Sequence, residues 1–174
     1  ALRNSSTYAD SIININFRIK DTVGLAYVRI HFQNTDSVSF VKTALQKGKS
    51  VVSANKKMIA EHFEELLQLQ QENNTALLYE AACCASMPIV RNLEEYYDND
   101  LLKSIRGIIN GSTNFILTKI LEEQLEFKAA LTLAQQLGFA ESNPKLDIGG
   151  FDAANKLSIL LAHSFGVIAK PIDF

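Results

Sequence analysis

The segment of residues 137–156, which reads LGFAESNPKLDIGGFDAANK, places residue types that could do acid–base chemistry around a Gly-Gly break. This segment contains three carboxylates and one terminal lysine, namely Glu141, Asp147, Asp152 and Lys156. Asp152 and Lys156 are four residues apart in an otherwise apolar stretch, and this spacing puts them on one face of a helix. If that face is covered, both charges need partners, and a covered lysine can have a pKa low enough for proton transfer. The segment is therefore a candidate for acid–base chemistry.

Two other interpretations of the same segment stay open. One stripe of the predicted helix carries the polar residues Asp152, Asn155, Lys156 and His163. Periodicity alone favours a solvent-facing stripe, because surface ion pairs at this spacing are common and weak. A hard-cation site made from the three carboxylates is less favoured, since their order does not follow the calcium-loop pattern and Lys145 lies among them.

Composition limits the function classes. The chain has 174 residues, of which 47% are hydrophobic and 21% charged, with a net charge of −2, as in one compact soluble domain or parts of two. Its dispersed lysines and arginines argue against nucleic-acid binding. Its apolar runs are far shorter than the ~20 residues of a membrane-spanning helix, which argues against a membrane segment. The adjacent cysteines Cys83 and Cys84 imply no disulfide framework and favour a cytoplasmic setting.

The first half of the chain is typical of an α/β protein. Residues 12–19 and 24–32 are β-branched and aromatic, which predicts two strands of a hairpin or of a larger sheet. Four further elements are predicted in order, namely a helix at 38–48, a strand at 49–55, a helix at 57–73 and a strand at 75–81. This alternation predicts a parallel sheet.

The second half contains more helix and several short turns. Residues 81–86 are predicted to form a tight connection, with Ser86 as a helix cap and Pro88 in the first helical turn. Its small side chains could admit a ligand, but close packing of helix and strand is favoured. A strand is predicted at 101–110. The helix that follows starts with Ser112 and Thr113 as caps or ligand donors, and a further helix ends at Gly138.

The chain has no Gly-x-Gly-x-x-Gly, Walker or Gly-x-Ser-x-Gly motif. Four of its segments, taken in order, nevertheless resemble homoserine dehydrogenase. They are VVSANKKMIA (51–60), LLYEAACCASMPIVRNL (77–93), SIRGIINGSTNFILTKI (104–120) and LGFAESNPKLDIGGFDAANKLSIL (137–160). The resemblance covers roughly residues 38–166. It implies an oxidoreductase that interconverts L-aspartate 4-semialdehyde and L-homoserine with NADPH or NADH, in threonine and methionine biosynthesis.

The resemblance also implies roles for individual residues. Lys156 would be the acid/base. Lys56 would be a second catalytic residue, placed where nicotinamide and substrate meet, and it would bind the cofactor together with Asn55. Glu141 and Asp152 would hold the polar end of the substrate, with Asp147 and Ser112 in the same pocket. Gly138 would lie where the backbone approaches the cofactor. A sodium-like cation would be bound by Glu80 and by the backbone carbonyls of Cys83, Ala85 and Met87.

The expected architecture is α/β, with a partial Rossmann-like nucleotide-binding portion followed by an α+β catalytic and dimerisation domain. Residues 1–37 are an unassigned β-rich segment, residues 38–55 the end of the dinucleotide-binding fold, and residues 56–174 an incomplete catalytic domain. A homodimer is implied by the family.

Two features depart from the family pattern. Cys-Cys-Ala-Ser at 83–86 stands where the family has a glycine-rich turn, and residues 1–37 contain no pyrophosphate-binding turn. We therefore expect the chain to be a fragment or to lack some segments. The alternative is a non-catalytic small-molecule-binding or dimerisation module derived from the same fold.

Overall fold

A three-stranded parallel sheet lies in the first half of the chain. The computed structural model describes residues 27–29, 37–84, 87–98 and 101–174. The strands are β1 (Tyr27–Arg29), β2 (Ser50–Val52) and β3 (Leu77–Leu78), in the order β1-β2-β3. Val51 is paired with Val28 on one side and Leu77 on the other. The predicted parallel α/β arrangement is confirmed, whereas the strand predicted at 12–19 lies outside the described residues.

Helices connect these strands in the predicted order, with one difference. The helix α1 (Ser37–Gln46) precedes β2, but the single helix predicted at 57–73 is two helices, α2 (Lys56–Glu61) and α3 (Phe63–Glu72). The backbone of His62 leaves the helical conformation at φ −123° and ψ 23°. Apolar side chains on both sides of this break, including Ile59 and Leu66, are buried in the same core.

Two predictions for the middle of the chain were wrong. Residues 81–84 form a short helix, α4 (Ala81–Cys84), instead of a tight connection, and Pro88 is the N-cap of α5 (Ile89–Glu95). Ser86 lies outside the described residues. The strand predicted at 101–110 is irregular, and most of its residues are exposed. A strand needs a neighbour that pairs with its backbone, and the described part of the chain offers none to this segment.

The remaining helices form the second half of the chain. They are α6 (Gly111–Glu123), α7 (Phe127–Gln136), α8 (Lys145–Ile148) and α9 (Phe151–Phe165), followed by a 3-10 turn at Pro171–Asp173. Gly138, with φ +77°, follows α7 in the left-handed conformation that favours glycine, as predicted. None of the helices in the described ranges is both long and apolar enough to cross a lipid bilayer.

The helix α9 joins the second half of the chain to the sheet. It packs against α2, α4, α5 and α8. Its residues Ile159 and Leu160 are buried in the main core together with Val51 of β2 and Leu77 of β3. A smaller apolar cluster lies between α6 and α7. The first turn of α9 is thereby fixed beside the start of α2, at the carboxyl end of β2.

Candidate active site

Asp152 lies between two lysine ammonium groups that are far apart in the sequence. The Lys56 Nζ donates to Asp152 Oδ1 at 2.7 Å, and the Lys156 Nζ is 2.8 Å from Asp152 Oδ2. The side chains of Asp152 and Lys156 are 14% and 15% exposed, whereas that of Lys56 is 34% exposed. The cluster is therefore mostly covered, with Lys56 on its open side.

The ends of two helices position these lysines. The Asn55 side chain accepts from the Met58 N–H at 3.1 Å and caps α2, so Lys56 is the first residue of that helix. Lys156 follows Asp152 by one helical turn on α9, which brings the two side chains onto one face. Lys156 Nζ also donates to the Ile109 carbonyl oxygen at 2.6 Å. Two of its three N–H groups thus have protein acceptors, and the third can be offered to a ligand.

The solvent-facing interpretation of the α9 stripe is wrong. Asp152 and Lys156 are covered because α2 and the segment before α6 lie against this face. His163 lies farther along the same helix with a side chain only 10% exposed. Its Nε2 forms a hydrogen bond with the Tyr79 hydroxyl at 2.7 Å, and its Nδ1 is 2.9 Å from Glu94 Oε1. Burial lowers the pKa of His163. The negative charge of Glu94 raises this pKa, but burial has the larger effect.

The ion pairs dominate the electrostatics of Asp152. Burial raises the pKa of this carboxyl, but hydrogen bonds from Lys156, Lys56 and Asn110 outweigh burial and lower the pKa to about 2. Asp152 is therefore ionised throughout the neutral range. Cys83 lies near both lysines, and burial raises the pKa of its thiol to about 12. That thiol is uncharged at neutral pH and is no nucleophile there.

Asp147 and Ser112 belong to the same cluster. The Ser112 hydroxyl lies 2.6 Å from the Phe139 carbonyl oxygen and 3.1 Å from Asp147 Oδ2. The other Asp147 oxygen accepts from Asn110 Nδ2 at 2.9 Å. Five of the predicted residues are thus brought together in one cluster: Lys56, Ser112, Asp147, Asp152 and Lys156.

Asn110 is a member of the cluster that sequence reasoning missed. Its Nδ2 also donates to Asp152 Oδ2 at 3.1 Å, and its Oδ1 accepts from the Thr113 N–H at 2.8 Å. Asn110, instead of Ser112 or Thr113, is therefore the N-cap of α6. Asparagine directly before Gly-Ser-Thr at the start of a predicted helix is a capping signal, so the sequence could have indicated the N-cap. It could not have indicated the hydrogen bonds from Asn110 to Asp147 and Asp152.

Five of the other predicted residues that the structure describes lie outside this hydrogen-bonded cluster, namely Glu80, Cys83, Met87, Gly138 and Glu141. Glu141 is exposed, and its carboxylate has no hydrogen-bond or ion-pair partner among the described residues. Gly138 is exposed next to open space. Glu80 caps α5, because its two carboxylate oxygens accept from the Val90 and Arg91 N–H groups at 2.9 and 3.0 Å. Met87 is exposed, Cys83 is buried, and Ala85 lies outside the described residues.

Known proteins resemble this chain along most of the described length. The family model described as homoserine dehydrogenase matches residues 88–174, and the one described as homoserine dehydrogenase, NAD binding domain, matches residues 35–80. The homoserine dehydrogenase of Lactococcus lactis subsp. lactis is 40% identical over 133 residues, which cover 76% of this chain and 31% of that protein. The chain thus spans about a third of the length of this relative.

Solved structures give the same result. A homoserine dehydrogenase from Thiobacillus denitrificans has a TM-score of 0.74 and 35% identity, over 81% of this chain and 32% of that one. A hyperthermophilic archaeal homoserine dehydrogenase in complex with NADPH has a TM-score of 0.72 and 35% identity, over 82% of this chain and 44% of that one. Because a family model covers half of the sequence and the folds agree, the chain belongs to the homoserine dehydrogenase family.

Proposed function

We propose that the chain forms the catalytic part of an oxidoreductase that interconverts L-aspartate 4-semialdehyde and L-homoserine with NAD(P)H. The observation that carries the proposal is the covered Lys56–Asp152–Lys156 cluster, in which one carboxylate binds two ammonium groups. Reduction of an aldehyde needs a cation and a proton donor beside the carbonyl oxygen, where negative charge develops. The family membership supports the same reaction.

Lys156 would be the acid/base. Its ammonium group is held by Asp152 and by the Ile109 carbonyl, so its third N–H can be directed at a bound aldehyde oxygen. Lys156 would donate this proton as the alcohol forms and would remove it in the reverse direction. Lys56 would stabilise the developing negative charge from the open side of the cluster, where its side chain is partly exposed.

Four residues would bind the amino-acid end of the substrate, namely Ser112, Glu141, Asp147 and Asp152. Asp152 Oδ2 already accepts from Lys156 and Asn110, whereas Oδ1 accepts only from Lys56, so Asp152 would bind the substrate through the remaining lone pair of Oδ1 while it orients the two ammonium groups. The free carboxylate of Glu141 is the better partner for the substrate's ammonium group. Asp147 and Ser112 are joined by a hydrogen bond and would line the same pocket.

The cofactor would lie at the carboxyl ends of the strands, where open α/β sheets bind their ligands. Asn55 and Lys56 follow β2 directly, and Lys56 remains accessible there. The open space beside Gly138 would admit the cofactor close to the backbone. These features suit a dinucleotide, whose nicotinamide would supply the hydride. A homologous structure contains NADPH, and both NADPH and NADH stay candidates for this chain.

A sodium-like cation would be bound by Glu80 and by the backbone carbonyls of Cys83, Ala85 and Met87. All of these donors are oxygen atoms, which suit a hard cation. The Glu80 oxygens accept one backbone N–H each, and the Met87 carbonyl accepts from the Ile89 N–H, so each retains a lone pair. The cation would fix the connection between β3 and α5.

The wider setting follows from the same proposal. The reaction would serve threonine and methionine biosynthesis in the cytoplasm, and the protein would act as a homodimer. Residues 38–55 would complete the dinucleotide-binding fold and residues 56–174 would carry catalysis. The comparisons give no support to a non-catalytic binding or dimerisation module.

The experiment that tests the proposal follows the oxidation of NADPH and of NADH with aspartate 4-semialdehyde as substrate. We expect wild type to turn over with at least one cofactor. Lys156→Ala should lose about a hundredfold or more in kcat, because it removes the general acid. Inactivity of wild type with both cofactors would reject the proposed reaction for this polypeptide. Full activity of Lys156→Ala would reject only the acid/base assignment.

A further inference from the structure

Asn110 lies where the irregular segment 101–110 enters α6, and it is only 7% exposed. Its Nδ2 donates to Asp147 Oδ1 at 2.9 Å and to Asp152 Oδ2 at 3.1 Å. Its Oδ1 accepts from the Thr113 N–H at 2.8 Å and from the Thr113 hydroxyl at 2.9 Å. An asparagine amide has two N–H donors and two acceptor lone pairs, so all four are used.

The orientation of this amide is fixed by its neighbours. Exchanging the oxygen and nitrogen atoms would put a carbonyl oxygen against two carboxylates. It would also put the NH2 group against the Thr113 N–H, which is itself a donor. The two carboxylates and the Thr113 N–H would then each lose this hydrogen-bond partner in a buried place, which is costly. The donor side of Asn110 therefore faces Asp147 and Asp152.

The two carboxylates are close neighbours because one nitrogen atom is within hydrogen-bond distance of both. Like charges at such a separation repel each other, and they need donors that keep them in place. Among the described residues, neither Lys56 nor Lys156 forms a hydrogen bond or an ion pair with Asp147, so the lysines do not hold this pair together. The Asn110 amide is the group that spans both.

We propose that Asn110 is a positioning residue of the active site, because its amide group holds Asp147 and Asp152 side by side. Held in this way, Asp152 presents Oδ2 to Lys156 and Oδ1 to Lys56, and Asp147 stays beside Ser112. Asn110 touches none of the reacting atoms and acts through the two carboxylates. Its effect on catalysis rests on the proposed function, whereas its effect on the carboxylates does not.

Two substitutions separate this role from helix capping. Asn110→Ser and Asn110→Asp both keep an oxygen that can cap α6 by accepting from the Thr113 N–H. Both remove the NH2 group that faces the carboxylates. The matched control is Asn114→Ser, because Asn114 is exposed in the first turn of the same helix. Circular dichroism should show the same helix content in all four proteins.

The first readout is the titration of the aspartate carboxyl carbons by carbon-13 NMR, on the full chain without ligands. The pKa of Asp152 should rise by about one unit in Asn110→Ser, because a donor to the ionised form is lost. It should rise further in Asn110→Asp, because that variant also adds a carboxylate beside Asp147 and Asp152. It should stay at the wild-type value in Asn114→Ser. Equal titration of Asp152 in all four proteins would overturn the proposal.

The second readout is turnover at saturating NADPH or NADH. We expect kcat of Asn110→Ser to fall about tenfold or more, because a hydrogen bond to a charged group is lost, with an unchanged KM for the cofactor. Wild-type kcat in Asn110→Ser would overturn the catalytic part of the proposal. If wild type itself is inactive, the proposed reaction fails, and the carboxyl titration still decides whether Asn110 positions the aspartates.

Discussion

At the scale of single residues, the site depends on one carboxylate, Asp152, that accepts hydrogen bonds from two lysines and an asparagine. Opposite charges and a donor surround it, so it stays ionised although its side chain is mostly covered. The ammonium groups of Lys56 and Lys156 both lie within hydrogen-bond distance of the Asp152 carboxylate, so two cations are held close to each other. This arrangement is suited to an oxyanion that develops during reaction.

The low pKa of Asp152 predicts a specific loss of stability in acid. The folded-state pKa is about 2, below the ordinary value of 3.8, so ionised Asp152 stabilises the fold above about pH 4. This contribution, about 2 kcal/mol, is lost as the pH falls from about 4 to about 2. We expect the free energy of unfolding of Asp152→Asn, measured by urea denaturation, to depend less on pH in this window than that of wild type. Equal pH dependence of the two proteins would contradict the assignment.

At the scale of elements, the sequence predicted the alternation of helices and strands better than it predicted the site. The helical spacing of apolar residues in α1, α7 and α9 is a local property, and it could be recognised in the sequence. The four-residue spacing of Asp152 and Lys156 could be recognised in the same way. The Lys56–Asp152 contact joins residues 96 positions apart, and it exists because α9 packs against α2. That packing also covers the polar stripe that periodicity alone assigned to solvent.

Other elements could not be predicted because they depend on neighbours. The segment 101–110 has the residue types of a strand, but the described chain provides no strand beside it. Asn110 is recognisable as a helix cap, whereas its bonds to Asp147 and Asp152 depend on α8 and α9. The local sequence therefore predicts the start of α6, whereas the hydrogen bonds that join Asn110 to the two carboxylates depend on tertiary packing.

The connection between β3 and α5 predicts a measurable effect of Glu80. Replacing Glu80 with Gln removes a charge at the start of α5 and exchanges one of the two acceptor oxygens for an NH2 group, so one of the two bonds to backbone N–H groups is lost. We expect a loss of about 1 kcal/mol in the free energy of unfolding, measured by urea denaturation. If the proposed cation is bound, the wild-type Tm should also be higher in sodium chloride than in N-methylglucamine chloride at equal ionic strength, and Glu80→Gln should lose this difference.

The matched control for Glu80 is Glu122→Gln, which removes the same charge from an exposed position on α6. It should unfold as wild type does and keep any sodium dependence. A wild-type Tm that is the same in both salts would reject the cation, while the capping effect would stand on its own. Wild-type stability of Glu80→Gln would reject the cap.

At the scale of the whole molecule, the described part of the chain exposes many large apolar side chains. Ile108 is 75% exposed before α6, and Leu121 is 79% exposed on that helix, one turn after the exposed Leu117. Large exposed apolar patches are typical of interfaces between proteins. This exposed apolar surface is where a second copy of the chain could bind.

The proposed homodimer predicts that a charge on this surface weakens association. Leu121→Glu should shift sedimentation velocity from dimer toward monomer, because a carboxylate would have to lose its hydration in an apolar contact. The control is Glu122→Gln, whose side chain is also exposed on α6. A monomeric wild type would contradict the dimer, and a Leu121→Glu protein that remains dimeric would exclude Leu121 from its interface.

The central proposal, that this cluster catalyses the reduction of an aldehyde by NAD(P)H, is tested most directly by the product. The chain would be incubated with aspartate 4-semialdehyde and NADPH or NADH deuterated at the transferable position, and homoserine would be analysed by mass spectrometry. We predict that wild type forms homoserine with one deuterium at carbon 4. The amount formed by Lys156→Ala in the same time should be lower by about a hundredfold or more. Absence of deuterated homoserine with both cofactors, or equal amounts from wild type and Lys156→Ala, would contradict the account.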